Sequence, residues 1–336
     1  MKKIQFRIQD IVPVIAFAVV LLFFTVQSGG NMLSPFNLNL LIDQSMTIIL
    51  IGSGMLFVVA QGSIDLSVGV NLALSGVLGM WVSEQLHAPY LMIPAAVLVG
   101  LLFGIVNGLI VAKLKVPSFM LTLAMLIGVR GIVKWIQVRV YVSYISPDLY
   151  WMNQPANKIL IFLVILAIMY YLFEFTRVGR SSQAIGENEV VARFVGIRVD
   201  LMKVVAFGLS GMMSGVASIF SILTVGGTSQ TMGSFTEMKV AMAVFLGGVL
   251  VTGGITARMY KVILGSFTIT IVVNGLAIIG HPETEVSQSV EGLLLLLILF
   301  ATIVANRRSQ RKVVVPDDDA DKPEEGRDPV HSTEGV

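Results

Sequence analysis

Few side chains in this sequence could do chemistry, and they fall in three places. Asp65 lies in GSIDLSVG (62–69), a carboxylate between glycines where one apolar run gives way to the next. An acid within apolar sequence is by default a functional candidate. The same residue type also caps helices, here by accepting from the backbone N–H of Ser67 or Val68. Asn107 in FGIVNGLI and Asn274 in IVVNGLAI each sit inside an apolar run and precede a glycine. Such amides can hydrogen-bond a polar solute along a translocation pathway, or tie neighbouring helices together.

The third place is residues 176–203, TRVGRSSQAIGENEVVARFVGIRVDLMK, a charged interval between apolar blocks. Asn188 can cap a short helix over 189–195, with Glu189 in the first turn where the helix dipole favours an acid. Gly196 supplies the stop. Val190, Val191, Phe194 and Val195 gather on one side, and Glu189 and Arg193 form an i,i+4 ion pair on another. So short a helix is marginal alone, since isolated helices below roughly 12–15 residues rarely persist. It must therefore dock on the chain's own membrane body, on a partner protein or on lipid.

Beyond these places the sequence offers little to an enzyme. It has no G-x-x-x-x-G-K-[ST] phosphate loop, no HExxH and no G-x-S-x-G. Cysteine is absent, which excludes disulfides, thiol chemistry and thiolate metal sites, and His87, His281 and His331 are far apart. No cofactor is expected in this chain. Arg130 and Lys134 are placed to meet an external acidic partner or to snorkel toward headgroups. Glu237 with Lys239 reads as an interfacial pair. The glycines of GGVLVTGG (247–254) suit close helix packing or a bend.

The elements that must position these residues are membrane helices. Of 336 residues 55% are hydrophobic and 13% charged, about half the charged share of a soluble domain, and mean hydropathy is +0.84. Apolar runs of spanning length fall at about 11–27, 39–60, 65–83, 91–112, 117–138, 158–175, 202–224, 237–256, 259–280 and 288–305. The expected fold is thus an all-α polytopic membrane protein of about ten transmembrane helices over 1–305. A basic then acidic tail, 306–336, is too polar to pack and reads as disordered. With both termini in the cytoplasm, 18 of the 23 basic residues lie on that side, as the positive-inside rule requires. The 176–203 interval then faces the cytoplasm. By parity spans 2–5 and 7–10 run in opposite directions, the arrangement of an inverted repeat. The net charge of +2 is dispersed over loops and gives no sign of nucleic-acid binding.

Four stretches, in order over about 40–280, resemble the permease subunit of ATP-binding-cassette importers of the ribose/monosaccharide branch. They are GSIDLSVG (62–69), VPSFMLTLAMLIGVRGI (116–132), GRSSQAIGENEVVARFVGIRVDLMK (179–203) and GGVLVTGG (247–254). The sequence departs from the family pattern at Gln61, Ser63 and Glu187, and in ITARMY after the last motif. The resemblance implies a permease in the plasma (inner) membrane with a second identical or homologous permease. It also implies cytoplasmic subunits that bind the ATP, an external solute-binding protein and a sugar as cargo. The helix at 189–195 would be the coupling helix, with Gly186, Glu187, Asn188, Glu189, Val190, Ala192, Arg193, Phe194 and Gly196 at the ATPase contact. Asp65, Asn107 and Asn274 would line the pathway. The alternative is an ion-coupled secondary transporter of a small polar solute, which needs acids or histidines inside the spans.

Overall fold

The structure is a computed structural model that describes residues 8–139, 144–280 and, within 286–300, residues 286–290, 292–293, 296–297 and 300. Twelve α-helices are laid out in chain order among the described residues: α1 (Ile8–Gln27), α2 (Pro35–Ala60), α3 (Val68–Gln85), α4 (Met92–Leu114), α5 (Ser118–Arg139), α6 (Tyr150–Asn153), α7 (Pro155–Glu174), α8 (Arg177–Glu187), α9 (Glu189–Phe194), α10 (Val199–Val225), α11 (Thr236–Leu246) and α12 (Met259–Ile278). Among the described residues six segments are long and apolar enough to cross a membrane: Pro35–Ala60, Pro89–Leu114, Ser118–Arg139, Pro155–Glu174, Val199–Val225 and Met259–Ile278. The expected all-helical, multi-pass class therefore holds; of the other elements α1 is an apolar helix of 20 residues, α3 has 18 and α11 only 11. The tail 306–336 and most of the expected last span lie outside the described residues.

α10 is the centre of the bundle, packed along α4 and α2. Lipid tails give helices no hydrophobic reason to associate, so close backbone approach between small residues must supply the packing. Gly100, Gly104 and Gly108 recur every four residues along one face of α4 and meet Phe207, Gly211 and Gly215 of α10. A Cβ at Gly104 would overlap the Phe207 carbonyl, and one at Gly211 the Gly100 carbonyl. Asn71 of α3 bridges this seam, donating to the carbonyls of Gly100 (3.2 Å) and Gly211 (3.4 Å).

One expected span differs. Residues 237–256 form an 11-residue helix, α11, and then an irregular turn. The breaking residues are Gly248 (φ 83°), Gly253 (φ 76°) and Gly254 (φ 78°), all in the left-handed region that an L side chain rarely adopts. The turn is pressed against other backbones. A Cβ at Gly247 would meet the Lys261 carbonyl, and one at Gly253 the carbonyls of Val59 and Ala60. The glycine motif is thus a bend where backbones cross.

Candidate functional site: a short exposed helix and its seat

Two short helices follow α7, and their ends are fixed by residues that local sequence supplies. The Val178 N–H donates to Thr176 Oγ1 at the start of α8 (3.2 Å). The Val191 N–H donates to Asn188 Oδ1 at the start of α9 (3.0 Å). Gly196, at φ 85°, ends α9 with open space around the position a Cβ would take. The expected cap, helix and stop are all present, with the helix running 189–194.

α8 is seated on the membrane body. Gly179 lies against the Phe173 backbone, and a Cβ at Gly186 would overlap the Ala60 carbonyl and the Gly254 nitrogen. Gly186 thus joins the end of α2, the end of α8 and the glycine turn after α11. Hydrogen bonds fasten the same junction. Gln61 Nε2 donates to Ser182 Oγ and to the Met202 carbonyl, both at 3.0 Å. Gln183 Nε2 donates to the Ala257 carbonyl at 2.9 Å, and Glu187 Oε1 accepts from the Ile255 N–H at 2.8 Å. Glu174 accepts from Arg258 (2.8 Å) and from the Met259 N–H (3.0 Å), which caps α12.

α9 is held by charge on one side and leaves its apolar side open. Glu189 pairs with Arg193 (2.9 Å) and Lys203 (2.8 Å), while Asp200 receives both Arg193 and Lys115 at 2.8 Å. The Lys203 hydrogen bond, helped by Arg193, holds the Glu189 carboxyl below its ordinary value of 4.5 against a partial desolvation cost. Ala192 faces inward at 2% exposure and packs with Ile185 and Val199. Phe194 is 85% exposed, and Val190, Val191 and Val195 are all exposed beside it. Of the residues expected at the coupling contact, Gly186, Glu187 and Ala192 serve the seat. Asn188, Glu189 and Arg193 shape and tether the helix. Val190 and Phe194 point away from the chain, with Val191 and Val195.

Asp65 and Asn107 come together in a closed polar cluster. Asp65 Oδ1 accepts from the Ser67 N–H (3.0 Å) and hydroxyl (2.5 Å), and Oδ2 accepts from Ser210 Oγ (2.8 Å). Asn107 Nδ2 donates to Ser67 Oγ at 2.9 Å. Both residues are buried. The cluster ties the α2–α3 turn to α4 and α10, and the bond from the Ser67 N–H is the cap expected of Asp65. Asn274 stands apart on α12, lining a cavity with Asn31, Asn37 and Leu40. Its buried Nδ2 has no partner among the described residues.

Arg130 does not snorkel. It donates to the carbonyls of Met232 (2.7 Å) and Gly233 (2.9 Å), fastening α5 to the loop before α11. Glu237 is buried against Gly69. Among the described residues, no three His, Asp or Glu side chains gather as a metal site would require.

Sequence reasoning missed a buried lysine. Lys158 of α7 pairs with Asp43 of α2 at 2.9 Å and donates to Thr224 of α10 at 2.9 Å. A charge placed near the start of an apolar run was the available signal, but its partner lies on a distant helix.

The family described as branched-chain amino acid transport system / permease component matches residues 37–299. The ribose import permease protein of Escherichia coli (strain K12) is 31% identical over 275 residues, covering 77% of this chain and 80% of that protein. The autoinducer 2 import system permease protein of Photorhabdus luminescens is 31% identical over 251 residues, covering 72% and 75%. The fructose import permease protein of Rhizobium meliloti is 26% identical over 283 residues, covering 80% and 78%.

Proposed function

Since the chain belongs to the branched-chain amino acid transport system permease family, and is a transporter component rather than an enzyme, we propose that it is the membrane permease of an ATP-driven importer for a monosaccharide or similar small polar solute. Permeases named for ribose, fructose and autoinducer 2 import among its relatives support that class of cargo. Its partners are then cytoplasmic ATP-binding subunits, which supply the hydrolysis, a second permease and an external solute-binding protein. In this reading the chain crosses the inner membrane about ten times with both termini in the cytoplasm. α11 and its glycine turn enter the bilayer without completing a regular span.

The observation that carries the reading is the outward apolar face of α9. A six-residue helix that tethers its charged side to its own chain and presents Phe194, Val190, Val191 and Val195 outward is built for a protein groove. Complementary burial of an aromatic anchor is what such interfaces depend on. The seat below it gives a route for motion. The ATPases, closing on ATP, displace α9 and α8. The Ala60–Gly186–Gly254 contact, with no room to compress, passes that displacement to α2 and α12. The permease pair is thereby biased between inward and outward states. The Asp65–Ser67–Asn107 cluster keeps the α2–α3 turn, α4 and α10 moving as a unit, and Asn274 offers its amide to the pathway.

The test is purification of the chain from its native host in mild detergent. ATP-binding subunits should accompany it, and the complex in proteoliposomes should take up ribose or fructose only with ATP and the binding protein. Uptake driven by a proton or sodium gradient without ATP would instead establish the ion-coupled alternative.

A further inference from the structure

A cavity of about 340 Å³ lies between α2, α10, α11 and α12, at the end of the bundle away from α8 and α9. Its size is at the lower end of the roughly 300–1,000 Å³ range of small-molecule sites, enough for one sugar ring. The polar wall is Asp43, Gln44 and Thr47 of α2, Ser221 and Thr224 of α10, and Thr236, Lys239 and Thr270. Ile48, Ile269 and Val273 form an apolar face. We infer that this cavity is a binding site for a neutral polyhydroxylated solute within the permease itself, deepening the permease reading above, on which it rests.

The chemistry of the wall supports that ligand class. Thr224 and Thr270 donate their hydroxyl protons to the carbonyls of Phe220 (2.9 Å) and Ser266 (2.8 Å), which leaves lone pairs on Thr270 and, beside the bond from Lys158, one on Thr224 as acceptors. Gln44 carries N–H donors. Sugar hydroxyls donate and accept in turn, so mixed donors and acceptors suit them, and an apolar patch suits the C–H face of a ring. Lys158, with a side chain only 4% exposed, enters from behind and fixes both Asp43 and Thr224. Its charge balances that of Asp43, so the carboxylate can accept hydrogen bonds without acting as a counter-ion for a cation. A wall locked by a buried partner is preorganised.

Position agrees as well. α2 enters this cavity through its first turns, whereas its far end, Ala60, rests on Gly186. A solute bound here would sit on the helices that the α8 seat moves.

The chain has no cysteine, so Ser221→Cys introduces a unique thiol in the cavity. The experiment uses the full complex in proteoliposomes. Ribose and fructose uptake by the wild type is measured first, followed by labelling of Ser221→Cys with a water-soluble maleimide, with and without an excess of the free transported sugar. Labelling should proceed and should slow several-fold in the sugar. Thr47→Val and Thr270→Val, which keep shape, should each lower uptake about two- to tenfold, with ATPase stoichiometry unchanged. Absent labelling, labelling indifferent to sugar, or wild-type uptake in both threonine variants overturns the site while leaving the permease reading intact. A wild-type complex that couples to ATP but moves neither sugar overturns the ligand class and the cargo reading together.

Discussion

Replacing Phe194 by Ala isolates the proposed coupling contact from the fold beneath it. Phe194 is 85% exposed, so its truncation removes little from the permease's own packing. Full burial of such a side chain is worth about 1.5–3 kcal/mol. Scaled to the exposed share, docking would gain roughly 1.3–2.5 kcal/mol from Phe194 alone, or about ten- to seventyfold in affinity for the ATPase. Arg193→Glu would be a poorer probe, because Arg193 already bonds Glu189 and Asp200 and its reversal would disturb the seat. The assay is titration of the detergent-solubilised permease with the purified ATPase, alongside thermal melting of the permease. An unchanged melting curve with weakened binding is expected. Wild-type affinity and wild-type stimulated ATP hydrolysis in Phe194→Ala would refute the assignment of this face.

Other substitutions probe the seat and the buried pair. Gly186→Ala would ordinarily gain up to about 1 kcal/mol in helix propensity, but its Cβ overlaps Ala60 and Gly254, so a loss of about 1–3 kcal/mol from overpacking is expected in thermal melts, together with lost uptake. Asp43→Asn removes the counter-charge of buried Lys158, which keeps Thr224 and the amide oxygen as acceptors, so it should cost less than the about 3–5 kcal/mol of a fully buried pair. Lys158→Met leaves Asp43, whose side chain is 39% exposed, able to reach water, so it should melt at the higher temperature of the two. The Glu189 carboxyl is held below 4.5 by Lys203 and Arg193. Its stabilising contribution is therefore fully present above that value and lost as pH falls through the depressed one. Hydrogen exchange at Val190–Val195 should be pH-independent in protection from pH 7 to about 5 and should loosen only below about 4.5, whereas Glu189→Gln should be looser throughout. A loss beginning near pH 6.5 would point to a different group.

Much of the architecture could be read locally. Asn188, Gly196 and the Glu189–Arg193 spacing act within a few residues, and the structure places each as the pattern requires. The Asp65 cap was legible for the same reason. The α11 break was legible only in part: GGVLVTGG allowed a bend, but membrane helices tolerate glycine and a positive φ leaves no mark in hydropathy, so a full span was expected there. Which side of α9 faces out was equally hidden, since a cluster of valines and a phenylalanine serves a chain's own core as readily as a partner. Ala192 packing against Ile185 and Val199 settles the inward side. Long-range pairs were the least legible. Nothing near Lys158 announces Asp43, and the cavity's polar residues are thinly spread, one or two per turn, over four helices.

The central claim, that α9 is one half of an interface with an ATP-binding subunit, is tested most directly by a photoactivatable phenylalanine analogue at Phe194 in cells expressing the whole transporter. Illumination should join the permease to the ATPase, while the same probe at Tyr90, exposed at the turn before α4, should not. Equal cross-linking from both positions, or adducts from Phe194 with lipid alone, would contradict it.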